Sequence, residues 1–222
     1  MRGTVCMPVA SHRLSAAASC LAAVLFTTAC GSAAATRETA TGAQLYQACE
    51  SCHGPEGAGI ALQGAPAIAG LPEWYVASQL ERFQTGLRGK HPDDVEGLKM
   101  RPMSLQVNSA AQRQAVAAYV AGLAPAHNPA TLTGVDTAAG EQAFALCVAC
   151  HGMKGEGNQA LNAPPLAGLD DWYVALQIRK FKTGIRGAVV GDAVGPVMAA
   201  MSMAIQPDVV DDVAAYVHAL PR

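Results

Sequence analysis

Two segments carry the same reactive set in the same order: Cys49, Cys52 and His53, then Cys147, Cys150 and His151, each followed by a glycine. The residues between the paired cysteines differ, Glu50 and Ser51 in one copy and Val148 and Ala149 in the other, so what is repeated is two thiols and an imidazole. Thiols three residues apart on a helical turn share a face. With a histidine adjacent, the set suits covalent haem attachment: the thiols add to two vinyl groups, and the imidazole is held over the iron as an axial ligand. A four-thiolate zinc site, thiol redox pairs and two plain disulfides could use the same cysteines. Zinc ribbons do not require the histidines, and a thioredoxin-like dithiol needs a βαβ surround that no stretch supplies.

The remaining cysteines, Cys6, Cys20 and Cys30, lie near the N-terminus. There Arg2, His12 and Arg13 precede an apolar, Ala-rich run over 14–29, with small residues from Cys30 to Ala35, the pattern of an export signal spanning 1–35. The run is short for a membrane span and is diluted by Ser15, Ser19, Thr27 and Thr28. Cleavage after Ala35 gives a soluble periplasmic protein. Processing at Cys30 gives a lipoprotein, although Thr27-Thr28-Ala29 lacks the aliphatic residue usual three places before a lipidated cysteine. Membrane contact is expected only through lipidation at Cys30 or an uncleaved signal. In an oxidising compartment the four motif thiols would oxidise unless something consumes them. Arg2 and Arg13 are two of the 15 basic residues, so 13 stand against 17 acidic ones beyond Ala35. That leaves no basic face for nucleic acid.

An offset of 98 carries one half of the chain onto the other. Gly42 falls on Gly140, Tyr46 on Phe144, Pro66 on Pro164 and Gly70 on Gly168; Trp74-Tyr75-Val76-Ala77 falls on the identical run from Trp172. Phe83, Arg88, Met100 and Met103 meet Phe181, Arg186, Met198 and Met201 before one residue is lost, after which Tyr119 meets Tyr216. The chain is a tandem duplication, with units at 36–124 and 136–222 and a Pro-rich, polar linker at 125–135. Aromatic residues make up only 5% of the chain, and units of this size commonly need a metal, disulfide or cofactor to complete a core.

Each half reads as three helices separated by long loops, an all-α architecture with no convincing strand alternation. The first helix, near 42–51 and 139–149, ends in the cysteine motif. The second carries an apolar stripe of Val76, Leu80, Phe83 and Leu87, copied as Val174, Ile178, Phe181 and Ile185, with Pro72 at one start and Asp170 or Asp171 capping the other. The third lies near 109–123 and 208–220. If His53 and His151 each bind iron, the repeat also limits what covers the opposite side. Only Met100 with Met198 and Met103 with Met201 are repeated methionines, and no other histidine is repeated. A thioether would complete a closed site and raise its potential, whereas a methionine in a loop can also simply fill a core gap.

These motifs resemble those of dihaem class I cytochromes c, most nearly the cytochrome c4 group. Gly-x-x-x-[Tyr/Phe] precedes each Cys-x-x-Cys-His, a Pro-x-[Ile/Leu]-Ala-Gly loop follows, and a methionine stands seven residues before the hydrophobic position introducing the last helix. The resemblance covers nearly all of 42–220. It implies two tandem class I cytochrome c domains, each with three main helices around a covalently bound haem c. Seven back from Val107 is Met100 and from Ile205 is Met198, the axial ligands the resemblance implies. It also implies that the Pro66 and Pro164 carbonyls accept hydrogen bonds from His53 and His151. Arg88 and Arg186 are candidates to pair with haem propionates or to sit at solvated helix ends. Trp74 and Trp172 are expected in haem-contacting core or at a partner surface, and His91, His127 and His218 in solvent.

A haem covered on both sides leaves no open position for substrate. The expected function is therefore an electron carrier between transient redox partners of a respiratory chain, with no catalytic residues. A haem subunit of a larger dehydrogenase or oxidase, a dihaem peroxidase-type enzyme and a gas sensor are the competing readings.

Overall fold

A computed structural model describes residues 40–222. The expected export signal and Cys30 lie outside the described residues. Nine α-helices are assigned among them, with no strand, only the isolated bridges Ile60 to Ala65 and Asn158 to Ala163. The first half holds α1 (Gly42–His53), α2 (Glu73–Thr85), α3 (Val95–Ser104) and α4 (Ala110–Ala121). The second holds α5 (Thr137–Phe144), α6 (Val148–His151), α7 (Asp171–Lys182), α8 (Gly195–Met203) and α9 (Val210–Ala219).

The all-α expectation holds, but three helices per half understates it. The methionines expected in loops lie on α3 and α8. The run expected as one helix over 139–149 is broken at Ala145–Cys147 into α5 and α6. Both differences arise where periodicity is weak: α3 contains Gly97 and Pro102, and α8 is apolar nearly all round, so neither shows a clean stripe.

The first and last helices of each half cross closely. A Cβ on Gly42 would lie 2.1 Å from the Ala115 carbonyl oxygen, and one on Gly140 would lie 2.2 Å from that of Asp212. Glycine is what lets α1 reach α4 and α5 reach α9. One turn on, Tyr46 packs against Tyr119 with ring centroids 5.2 Å apart, and Phe144 against Tyr216 at 5.4 Å. The Gly-x-x-x-[Tyr/Phe] motif is thus a helix-crossing device. Around these crossings Val116, Val120, Leu80 and Val107 form one core, and Val174, Ile178, Val213 and Val217 another. In α2, Gly86 closes the helix with φ +78 and ψ 14, the left-handed conformation glycine adopts freely.

The Pro-rich connector is tied down. Asp171 is wholly buried and its carboxylate accepts from Thr131 N and Oγ1 at 2.6 and 2.7 Å, Leu132 N at 2.8 Å and Trp172 N at 2.7 Å. Asp170, the α7 N-cap residue, makes no side-chain cap. It instead accepts from Ala67 N of the first half at 2.7 Å and from Asn128 Nδ2 at 2.7 Å. Arg222 also spans the halves, donating to the carbonyls of Ala167 and Ala69 at 2.9 and 3.1 Å.

Candidate functional site

Each half contains one deep apolar cavity into which its cysteine motif opens. Cys49, Cys52, His53, Met100 and Met103 line the first, and Cys147, Cys150, His151, Met198 and Met201 the second. Every sequence-derived site residue therefore falls in one of two groups, as the repeat requires. The cysteines are free thiols, and no cluster of three or more His, Cys, Asp or Glu suited to a metal ion exists among the described residues. The four-thiolate zinc alternative fails because the two cysteine pairs lie in separate cavities.

Burial, with the neighbouring cysteine, pushes the Cys49 and Cys147 thiols up to about 11. The imidazoles are more tightly defined. His53 Nδ1 lies 2.9 Å from the Pro66 carbonyl oxygen and His151 Nδ1 2.8 Å from that of Pro164. A carbonyl only accepts, so Nδ1 carries the proton and Nε2 is left as the lone-pair nitrogen. Burial holds both rings below the usual histidine range, with the proline carbonyl acting in the opposite sense. A neutral imidazole fixed at one nitrogen and basic at the other is what a metal ligand requires. The loop geometry behind this depends on glycine: Gly59 has φ +81 and a Cβ there would lie 2.5 Å from Ala67 N, while Gly157 has φ +81 and the same approach to Pro165 N.

Of the methionines, Met103 and Met201 are 37% and 42% exposed, whereas Met100 and Met198 are half-buried and Met100 packs against the Leu80–Val107 core. The helices that carry them are strapped at both ends. At the C-terminal end Gln84 Nε2 donates to the carbonyls of Ser104 and Val107, both at 2.7 Å. Its counterpart Lys182 donates to those of Ser202 and Ile205 at 3.0 and 2.5 Å. These groups tie the last turn of each helix to the segment that follows it.

The two cavities share a wall. Tyr75, Tyr173 and Gln177 line both, so each site borrows residues from the other half. Arg88 donates to Gln79 Oε1 at 2.8 Å, Tyr173 Oη at 2.8 Å and Gln177 Oε1 at 3.2 Å; Arg186 donates to Gln177 Oε1 at 2.7 Å and Gln79 Oε1 at 3.2 Å. Their guanidiniums stack on Phe83 and Phe181, 4.6 and 4.5 Å from the ring centroids. The solvated helix-end reading of these arginines is overturned, since both lie within this shared wall. Burial acts to lower both. Arg88 is held up by Tyr173 and Tyr75, while Arg186 is pressed down further by Arg88. Among the described residues neither has a carboxylate within salt-bridge distance. Two desolvated cations with no salt-bridged carboxylate fit a cofactor that brings its own carboxylates.

Other expectations shift. Trp74 and Trp172 line neither cavity, and Trp74 borders a surface groove with Glu73 and Arg113. His218 is buried, with its Nδ1 donating to the Leu169 carbonyl at 2.9 Å and its ring stacked on His127 at 5.6 Å. Solvation is therefore not its role. The polar wall of Tyr75, Gln79, Tyr173 and Gln177 was missed by pattern reading. Its signal was available: each of these residues recurs unchanged under the offset, beside the repeated apolar positions of the same helix.

A cytochrome c family model matches residues 39–124 and 137–221. The chain is 36% identical over 157 residues to a thiosulfate dehydrogenase electron acceptor of Thiomonas intermedia (strain K12), covering 66% of this chain and 67% of that one. Among solved structures, the reduced recombinant cytochrome c4 of Pseudomonas stutzeri aligns with TM-score 0.63 and 25% identity, over 81% of this chain and 97% of that one. The thiosulfate dehydrogenase TsdBA of Marichromatium purpuratum aligns with TM-score 0.68 and 32% identity over 81% of this chain, which spans only 40% of that protein's length.

Proposed function

The chain belongs to the cytochrome c family, and on that premise we propose that it is an exported, periplasmic one-electron carrier that accepts electrons from a dehydrogenase of the thiosulfate-oxidising type. It is a dihaem protein with two covalently bound haem c groups. In this reading 36–124 and 136–222 are the two haem units, joined by 125–135 and preceded by an export signal at 1–35. Cys49 and Cys52 hold one haem and Cys147 and Cys150 the other. His53 with Met100, and His151 with Met198, would hold the iron of each haem.

One observation carries the reading. Each apolar cavity presents two thiols, a neutral imidazole whose Nδ1 is tied to a proline carbonyl, and a half-buried thioether on a helix strapped at its end. When bound, the haem iron supplies a centre that gains and loses a single electron. The protein's part is to keep that centre dry and its surroundings fixed. The proline carbonyls lock the imidazole tautomer, Gln84 and Lys182 hold the methionine helices, and Arg88 and Arg186 offset the cofactor's carboxylates. The sites are not equivalent. Exposed Leu146, Leu161 and Val197 stand at the second cavity, where the first has Ala48, Gln63 and Lys99. Exposure and nearby charge tune potential, so the two haems titrate separately.

No described helix is long and apolar enough to cross a membrane. The reading is tested by mixing the reduced protein with carbon monoxide, and the oxidised protein with a thiosulfate dehydrogenase and its substrate. Unchanged spectra in the first and reduction of both haems in the second are expected. Rapid carbon monoxide binding at one haem would instead favour an open-site enzyme or a sensor. The alignment with 40% of a longer thiosulfate dehydrogenase chain also favours a second reading, a haem subunit of a larger complex, which stable co-purification with the dehydrogenase would establish.

A further inference from the structure

The first turns of the two methionine-bearing helices are held by residues of the opposite half. Asp94 caps α3, its Oδ1 accepting from Gly97 N at 3.2 Å, and Lys180 from α7 of the other half donates to that same carboxylate and to Glu96. In the second half Asp192 precedes α8 and accepts from Val194 N at 3.0 Å and Gly195 N at 2.8 Å, while Arg82 from α2 of the first half pairs with its other oxygen. The two arrangements are mirror copies: Arg82 and Lys180 occupy equivalent positions, as do Asp94 and Asp192. Asp94 is 3% exposed, Asp192 6% and Lys180 4%, so these pairs are weakly screened. The carboxylates lie so close over the helix that a Cβ on Gly97 would fall 2.0 Å from Asp94 Oδ2, and one on Gly195 2.2 Å from Asp192 Oδ2. Glycine at both positions is what admits the cap.

We propose that Arg82 and Lys180 are positioning residues for the axial methionine of the opposite haem, Arg82 for Met198 and Lys180 for Met100. This rests on the methionine assignment above. Each acts through the capping aspartate: the cation fixes the carboxylate, the carboxylate fixes the first turn of the helix, and the first turn sets where the thioether stands one turn later. Helix termini fray first, and a ligand near a helix start inherits that freedom unless the cap is locked. The C-terminal straps come from the same half as the helix they hold. Arg82 and Gln84, two residues apart on α2, therefore serve methionines in different halves.

That crossing is the test. Ferric thioether-ligated haem shows a weak near-infrared absorption band, which a histidine in place of the methionine removes. In the Met100→His protein the remaining band reports only on Met198. Arg82→Gln is expected to abolish it and lower the midpoint potential of that haem, whereas Gln84→Ala leaves it intact. In the Met198→His protein the pattern reverses: Lys180→Gln and Gln84→Ala abolish the band and Arg82→Gln spares it. Arg82→Lys is expected to keep the band, because lysine performs the same task at 180. Should Arg82→Gln fail to accumulate with both haems, Asp192→Asn keeps the cap acceptor, removes the paired charge and gives the same readout. Bands that survive Arg82→Gln and Asp192→Asn, or that respond only to changes in their own half, overturn the proposal. A band that persists in the Met100→His, Met198→His double variant overturns the methionine assignment, and this proposal with it.

Discussion

Replacing Asp171 with alanine removes one carboxylate from beneath the connector between the two haem units. The side chain is wholly buried and accepts four hydrogen bonds: three from backbone amides of Thr131, Leu132 and Trp172, and one from the Thr131 hydroxyl. Bonds to a charged acceptor contribute about 1.5–3 kcal/mol each, but water reaches part of a connector once it loosens, so the loss is set at about 4 kcal/mol rather than the full sum. For a chain of this length that corresponds to a fall in melting temperature of roughly 8–16 °C. The pH dependence has a definite sign. Burial acts to raise the Asp171 pKa, but the hydrogen bonds from Leu132, Thr131 and Trp172 outweigh it and hold the carboxyl below its usual range. A carboxyl depressed on folding stabilises above its unfolded pKa of about 3.9 and loses that contribution as pH falls through the lower folded value. The gap between parent and variant should therefore be constant from pH 7 to about 5 and shrink below about 4. Thermal melts of the haem-loaded proteins, followed by far-ultraviolet circular dichroism at pH 7 and pH 3, measure both. A variant melting within about 2 °C of the parent at pH 7, or a gap that widens in acid, would refute the reasoning.

Three further outcomes are expected. Gly157→Ala places a Cβ 2.5 Å from Pro165 N on a backbone with φ +81, and should cost about 2 kcal/mol or more in urea unfolding as the Pro164 carbonyl is displaced from His151. Tyr46→Phe removes the hydroxyl that donates to the Gly54 carbonyl at 2.7 Å but keeps the ring packed on Tyr119, a loss of about 1 kcal/mol by the same assay. His218→Phe retains the stacking partner of His127 and loses the bond to the Leu169 carbonyl, with a similar loss of about 1 kcal/mol.

Much of this protein was legible in its sequence because duplication acts as an internal control. Residues proposed to hold the haems, the thiols, the imidazoles and Met100 with Met198, recur at one offset together with Pro66 and Pro164. The apolar stripes of α2 and α7 gave their buried faces because each shows one periodic apolar side. What escaped lacked such a side. Helix α3 carries Pro102 and Gly97, and α8 is apolar nearly throughout, so the methionines read as loop residues. The cavity-lining reading of Trp74 failed for another reason: an aromatic beside an apolar stripe is not thereby on it, and Tyr75 rather than Trp74 reaches the cavity. The contacts between the halves were illegible for a third. Arg82 facing Asp192, and Lys180 facing Asp94, are more than 80 residues apart, and nothing local marks two surface-looking charges as a buried pair.

The account stands on two haems bonded through Cys49 with Cys52 and Cys147 with Cys150, which intact mass combined with a pyridine haemochrome spectrum measures directly. The haem-loaded protein should weigh more than its polypeptide by two haems, and replacing both cysteines of either pair with serine should remove one haem in mass and half of the absorbance. A mass equal to the amino acids alone, or two haems that survive loss of a cysteine pair, would contradict it.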